Sequence, residues 1–373
     1  MSRISLVFLL LAAGCPSHPQ PEVRQDLPSV ASASASASVA APVCPKSVTP
    51  ADAIKVTSED TAMGTHLSFA AYTNDHVDEA AVRHAFADAV TEIKRVEALM
   101  TTWHPSDITR VNDAAGTSAV AVGKETYDIV AEALHASEMS KGAFDITFES
   151  LHGLWKFDED LDAHPPTKEA VAAKLSLVDY HHVKIDPKAR TVMLDAPGVR
   201  IGLGGIAKGY GVDRATAVLD KACITSFYVQ AGGDLFTRGR KPNGDEWQAG
   251  IRDPRGGKDQ FFALLGVSDH SFSTAGDYER SYVTGGTRYH HIIDPKTGFP
   301  ATASRSVTIW APTALLADEI DDAVFIMGPK DGMALVESIE GVGAVIVDAK
   351  NNLWVSNRLR GRLRMTGVPT DAP

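Results

Sequence analysis

Four short stretches of this chain carry residue types that could act on a phosphate. The first is Ile201-Gly202-Leu203-Gly204-Gly205-Ile206-Ala207-Lys208-Gly209-Tyr210. Glycines let a backbone approach a ligand closely, a helix N-terminus offers free N–H groups, and Lys208 adds a point charge. No Ser or Thr follows the lysine, so this is no Walker loop, and a tight turn before a helix would give the same pattern. The second stretch runs from Thr313 to Phe325. Asp318 and Asp322 are four apart there, so a helix would put both carboxylates on one face, with Asp321 close by. Such a group suits Mg²⁺ or Ca²⁺, or else a solvated acidic face near a helix N-terminus. The third is Tyr289-His290-His291-Ile292-Ile293-Asp294-Pro295-Lys296-Thr297-Gly298. Asp-Pro-Lys-Thr-Gly is a turn signal, and a histidine just before it could face a cleft as a base or as a donor to a phosphate. The fourth, Ser273-Thr274-Ala275-Gly276-Asp277-Tyr278-Glu279, reads as a small polar loop that could offer hydroxyls and N–H groups. Singly, none of the four decides a function.

Positioning these groups falls to helices and strands that alternate along the chain. Apolar periodicity predicts helices over 78–100, 125–139, 207–219 and 313–327. Strands are expected at 227–229, 261–267, 307–310 and 344–347. From about 50 to 362 there is no linker and no internal repeat. One large mixed α+β domain, strands packed with flanking helices, is the simplest arrangement.

Composition narrows the class of partner. The 373 residues carry a net charge of −11, which argues against nucleic acid. Arg358, Arg360, Arg362 and Arg364 alternate near the end, as on a solvated edge strand, and 363–373 reads as a C-terminal tail. Three cysteines, Cys15, Cys44 and Cys223, are too few for a disulfide scaffold and match no zinc spacing. Cys44 lies in or near a tether, which argues against its pairing with Cys223. Residues 1–14 combine Arg3 with a short apolar run and end in Ala12-Ala13-Gly14 before Cys15. That pattern predicts a secretory signal and resembles a bacterial lipobox, with Cys15 as the lipidated residue. The Pro-, Ser- and Ala-rich stretch over 15–49 has little to pack and is expected to be a disordered tether, with folded sequence from about Pro50. The expected location is the bacterial envelope, lipid-anchored and facing the periplasm.

Taken in order, the motifs resemble the FAD:protein FMN transferase family, the ApbE-type flavin transferases. The resemblance runs from Met63-Gly64-Thr65 through Thr101-Thr102-Trp103, Phe144-Asp145, the stretch around Lys208 with Asp213, and Gly232-Gly233-Asp234. It continues through Gly276-Asp277 and His291 to Asp318. It implies that Met63, Gly64, Thr65, Trp103, Phe144 and Asp145 help enclose FAD, with Gly276, Asp277 and His291 on the same surface. Gly204, Gly205 and Lys208 would face the diphosphate, and His291 would stand near the reacting phosphorus as base or stabiliser. The carbonyl of Ala207 and the carboxylate of Asp318 would hold Mg²⁺. Two departures bear on the site. Trp103 replaces the family's usual tyrosine, and either ring can stack. Asp322 replaces a usual threonine and would add a third oxygen ligand and a negative charge. The implied reaction moves FMN from FAD to a Thr or Ser hydroxyl of a partner flavoprotein, with release of AMP. Attack by water would instead make an FAD pyrophosphatase, and a non-catalytic FAD-binding lipoprotein is a third reading.

Overall fold

The computed structural model describes residues 44–45, 47–157 and 161–372. The expected signal peptide, Cys15 and most of the tether lie outside them. In chain order the elements begin with β1 (Lys55–Ala62), β2 (Thr65–Tyr72), α1 (Glu79–Met100), α2 (Asp107–Asp113), β3 (Val120–Ala121) and α3 (Lys124–Met139). Then come α4 (Lys168–Leu175), β4 (Val183–Asp186), β5 (Thr191–Leu194), α5 (Ala207–Lys221), β6 (Phe227–Ala231), β7 (Asp234–Arg238) and β8 (Trp247–Arg252). The last part holds β9 (Phe261–Val267), β10 (His270–Gly276), β11 (Ser281–Thr284), β12 (Thr287–His290) and β13 (Ser304–Ala311). It closes with α6 (Ala314–Ser338), β14 (Gly343–Asp348), β15 (Leu353–Val355) and β16 (Leu363–Met365).

Eight of these strands form one sheet in the order β1-β2-β6-β7-β10-β13-β14-β15, every neighbouring pair antiparallel. Period-2 alternation explains how it packs on both faces. In β13, Val307, Ile309 and Ala311 point to one side, where Ile320, Val324 and Phe325 of α6 cover them. Trp310 points to the other side, with Val345 and Val347 of β14. There the sheet β16-β9-β8 closes over them with Leu265 and Val267. Toward β1, the covering layer is α1 and α5. Val82, Phe86, Ala89 and Ile93 of α1 meet Phe69, Phe227 and Val229 of the sheet. Asp78 starts α1 by accepting from Ala81 N–H at 2.8 Å. A second core lies beside α6, where α3, the sheet β3-β5-β4 and a short 3₁₀ turn (Ile146–Leu151) gather Val130, Leu134, Phe144, Ile201, Leu203 and Ile206. α6 itself bends at Gly328, whose φ of 75° breaks the helix before Pro329.

The mixed α+β architecture and the predicted helices are present, and the structure corrects four expectations. Residues 273–276 are not a loop but the second half of β10, held by β13. The ordered body starts before Pro50: Ser47 Oγ and Val48 N–H both donate to Asp75, and Cys44 forms a disulfide with Cys223. The tail after 362 is also packed, since β16 pairs with β9 and Thr370 bonds to Asp253 through its N–H and its hydroxyl. Finally, the four arginines do not share one strand. Arg358 lies in the 3₁₀ turn Asn357–Leu359 and donates to Val342 O, Arg362 lies over the Trp310 ring, and Arg364 is in β16.

Candidate active site

α5 begins at Ala207 directly after the glycine turn, with no side chain capping its N-terminus. Small residues make the turn possible. A Cβ on Gly205 would lie 3.1 Å from the Phe144 ring and 3.4 Å from Asp322 Oδ2. A Cβ on Gly209 would lie 2.3 Å from the Ala314 carbonyl oxygen and 2.7 Å from Asp318 Cβ. α5 and α6 therefore touch through the side chain that Gly209 lacks. Gly209 N–H donates to Asp318 Oδ2 at 2.8 Å, which fixes that carboxylate against the start of α5.

The Lys208 ammonium sits between two acids, 2.8 Å from Asp318 Oδ1 and 2.8 Å from Asp234 Oδ2. Asp234 opens β7 just after the Gly232-Gly233 turn. Ser273 Oγ, on β10, lies 2.5 Å from Asp234 Oδ1 and 2.6 Å from Asp321 Oδ2. One hydroxyl has one proton to give, so one of those two acids must carry a proton of its own. Asp321 is that group: burial and the charges of Asp322, Asp318 and Asp234 push it well above the usual carboxylate range. Asp318 is pushed up to about 6 by burial and by Asp234, against the pull of Lys208. Asp322, one turn further along α6 and half-buried beside Gly205, is pushed up to about 7 by burial and by Asp318 and Asp234, with Lys208 opposing.

The other expected groups divide into those at this centre and those that hold its frame. His291 follows β12, donates its backbone N–H to Arg280 O at 3.1 Å, and leaves Nδ1 without a partner among the described residues. Burial, then Arg280, His290 and Lys208, push it down to about 3, so the ring is neutral at ordinary pH. His290 turns inward instead, bonding Ala301 O at 2.9 Å and packing on Phe325. Met63 and Gly64 form the two-residue turn of the β1–β2 hairpin, with φ of 53° and 64° as a type I′ turn requires. Met63 reaches Gly211 of α5, Gly64 faces Arg280, and Thr65 packs on Gly232. These contacts bring that turn to the same end of the sheet as Asp234.

Asp145 spends its carboxylate on Thr147 and Tyr180 N–H, so it shapes the turn behind Phe144. Asp277 is held by two bonds from Arg255, at 2.6 and 2.7 Å, and with Gly276 it fixes the turn leading to Arg280. Trp103 follows α1 on a loop and is 71% exposed. Asp234 and Ser273 are functional side chains that the sequence placed within motifs but gave no role of their own. Their signals were an acid straight after a Gly-Gly turn and a small polar residue at an inward strand position.

Three carboxylates meet at this centre: one oxygen from each of Asp234, Asp318 and Asp321 lies within 4.8 Å of the others. Such donors suit a hard divalent cation, and the Lys208 ammonium already stands among them as a cation.

The ApbE family model matches residues 63–346. This chain belongs to the ApbE family. It is 32% identical over 303 residues to the FAD:protein FMN transferase of Treponema pallidum, spanning 77% of this chain and 83% of that one. A protein of the same name from Klebsiella pneumoniae is 30% identical over 292 residues, spanning 76% of this chain and 83% of the relative. Among solved structures, the ApbE protein of Thermotoga maritima superposes with a TM-score of 0.75 at 33% identity, covering 83% of this chain and 100% of its own. The flavin transferase ApbE of Vibrio cholerae gives 0.72 at 26% identity, covering 83% and 99%. The family's match covers the glycine turn, Lys208, His291 and the acids of α6.

Proposed function

We propose that this chain transfers the FMN half of FAD to a Thr or Ser hydroxyl of a partner flavoprotein and releases AMP, with Mg²⁺ at the carboxylates of α6 beside the start of α5. The observation that carries the reading is the meeting of four features at one end of the sheet. These are an uncapped helix start behind a glycine turn, a lysine, a nest of buried carboxylates, and a neutral histidine whose Nδ1 has no partner among the described residues. The relatives' shared name, FAD:protein FMN transferase, supplies the reaction class.

Each residue has a physical task in that reaction. The glycine turn and the first N–H groups of α5 face the diphosphate, where the positive end of the helix favours anions. Asp318, the Ala207 carbonyl and Asp322 would hold the cation, with Asp234 and Asp321 behind them. Bound there, Mg²⁺ would neutralise the diphosphate and stabilise the departing AMP. The acceptor oxygen attacks the FMN phosphorus, and the bond from that phosphorus to the oxygen bridging to AMP breaks. The hydroxyl proton passes to His291, whose neutral ring can accept it and whose basicity rises beside the incoming anion. Phe144 behind the glycine turn and the exposed Trp103 ring would flank the aromatic parts of FAD. Catalysis comes from positioning and charge, not from a covalent enzyme intermediate.

The place of action belongs to the same proposal: a lipid anchor at Cys15 in the bacterial envelope, facing the periplasm. The small residues before Cys15 and the Cys44–Cys223 disulfide support it, because disulfides persist in oxidising compartments.

The test incubates the protein with FAD, Mg²⁺ and a candidate acceptor flavoprotein, and weighs the acceptor by mass spectrometry. The expected result is an acceptor heavier by one FMN, equimolar AMP, and no reaction with Asp318→Ala. Free FMN and AMP with every tested acceptor unlabelled would favour water as the acceptor. FAD that stays bound and intact would overturn the enzymatic reading.

A further inference from the structure

Lys208 stands where a cation is needed. Asp234 and Asp318 are almost wholly buried, with side-chain exposures of 1% and 3%. Ionised carboxylates this close repel strongly in a low-dielectric interior unless a positive group lies between them. The Lys208 ammonium is that group, bonded to both at 2.8 Å. It is also the side chain at this centre that can most easily leave. A lysine is a point charge on a flexible four-carbon stem, and this one keeps 28% of its side chain exposed. Asp318 cannot follow it, because Oδ2 is held by Gly209 N–H. The other oxygen of Asp318, Oδ1, is the atom Lys208 uses.

We propose that Lys208 is an exchangeable internal counter-ion. With no divalent cation bound, its ammonium keeps the carboxylates gathered and the α5–α6 contact closed. When a divalent cation binds, Lys208 gives up Asp318 Oδ1 and its charge turns to the diphosphate that arrives with the metal. The exchange rests on the metal reading of this site given above, but not on the identity of the acceptor. It explains why one lysine can neighbour both acids and a phosphate: it serves them in different states. It also makes phosphate binding conditional, since without the cation the lysine is engaged and the acids repel an anion.

The experiment is calorimetric titration of Mg²⁺ into the whole protein, wild type against Lys208→Met, which keeps a long apolar stem without the charge. Loss of the competing ammonium is expected to tighten Mg²⁺ binding about tenfold or more. The metal-free variant should also melt several degrees below wild type and recover when Mg²⁺ is added. Binding that is unchanged or weaker in Lys208→Met overturns the exchange, because a lysine that merely orients Asp318 for the metal would have that effect. A second readout needs no variant. Acetylation of Lys208, followed by peptide mass spectrometry, should speed up when Mg²⁺ is added without FAD, and an unchanged rate counts against the proposal. Asp318→Asn separates the two layers. Mg²⁺ binding that survives it overturns the metal reading, and the exchange with it. Binding lost there but not tightened in Lys208→Met overturns the exchange alone.

Discussion

Gly209 and Gly204 lie five residues apart in the same motif and do different work. Gly209 lets α5 touch α6, since an added Cβ would enter the Ala314 carbonyl and Asp318 Cβ. Gly209→Ala must therefore push the helices apart and pull Asp318 from its N–H donor. We expect a loss of about 1–3 kcal/mol of stability, as for other overpacked contacts, together with weaker Mg²⁺ binding. Gly204 has nothing within 4 Å of its Cβ position. Gly204→Ala should leave stability within about 0.5 kcal/mol and affect only ligand binding. Chemical denaturation of both variants checks the pair, and equal losses would refute the close-contact account. Trp103 offers a parallel test. Because it is 71% exposed, Trp103→Ala should be neutral for folding yet raise the KM for FAD several-fold, through loss of about 0.5–1.5 kcal/mol of stacking. A KM equal to wild type would remove the ring from the flavin site. At this scale Lys208, His291 and Asp318 were legible because each sits in a motif of its own. Asp234 and Ser273 also stood in motifs, but their roles were hidden because they join the centre through partners 26 to 48 residues away.

At the scale of elements, the start of α6 decides where Asp318 and Asp322 point. Thr313 caps it by accepting from Leu316 N–H at 3.2 Å, and Asp213 of α5 accepts from Ala314 and Leu315 N–H, both at 2.9 Å. One carboxylate on α5 thus grips the end of α6 a turn before the acids. Burial outweighs these bonds and pushes Asp213 up to about 6. Its raised value means that the folded protein prefers the proton. This contribution to stability is full below the unfolded value near 4 and is lost as pH rises through about 6. The loss is at most about 3 kcal/mol, and less for a group that is only half-buried. Asp213→Asn keeps an acceptor for one N–H and should flatten that part of the pH profile. Denaturation at pH 5 and pH 7.5 would show the variant's difference from wild type shrinking as pH rises; a constant offset would contradict the assignment. Helices such as α1 and α3 were readable from their 3.6-residue apolar stripes. β10 was not, because Ser, Thr and Gly usually mark turns. Here those hydroxyls face other strands and α6, so pairing with β7 and β13 overrode the local signal.

Across the whole folded body, the chemistry and the entry of the chain lie at opposite ends of one strand. β2 begins at Thr65, against Gly232 and the Met63-Gly64 turn, and ends at Tyr72, whose N–H donates to Ser226 O. Eight residues of strand span roughly 25 Å. At the Tyr72 end, Cys44 is joined to Cys223, Thr49 meets Thr225, and Asn74 donates to the Cys223 carbonyl. The sequence hid this clasp because a Pro/Ser/Ala-rich stretch around Cys44 offers no apolar face. Covalent and polar bonds, not burial, hold that segment. The bond closes a loop across a sequence separation of 179 residues, so it should restrict the unfolded chain strongly. Replacing both cysteines by serine is expected to cost about 2–4 kcal/mol in denaturant unfolding, and reduced wild type should match the variant. Because the clasp is remote from Lys208, kcat and the Mg²⁺ affinity at 25 °C should stay as in wild type. A stability loss with unchanged catalysis would make the disulfide a fastening for the incoming chain. A fall in kcat in the still-folded variant would instead mean that strain travels along β2 and β6 to the acids, and the two ends would no longer be independent.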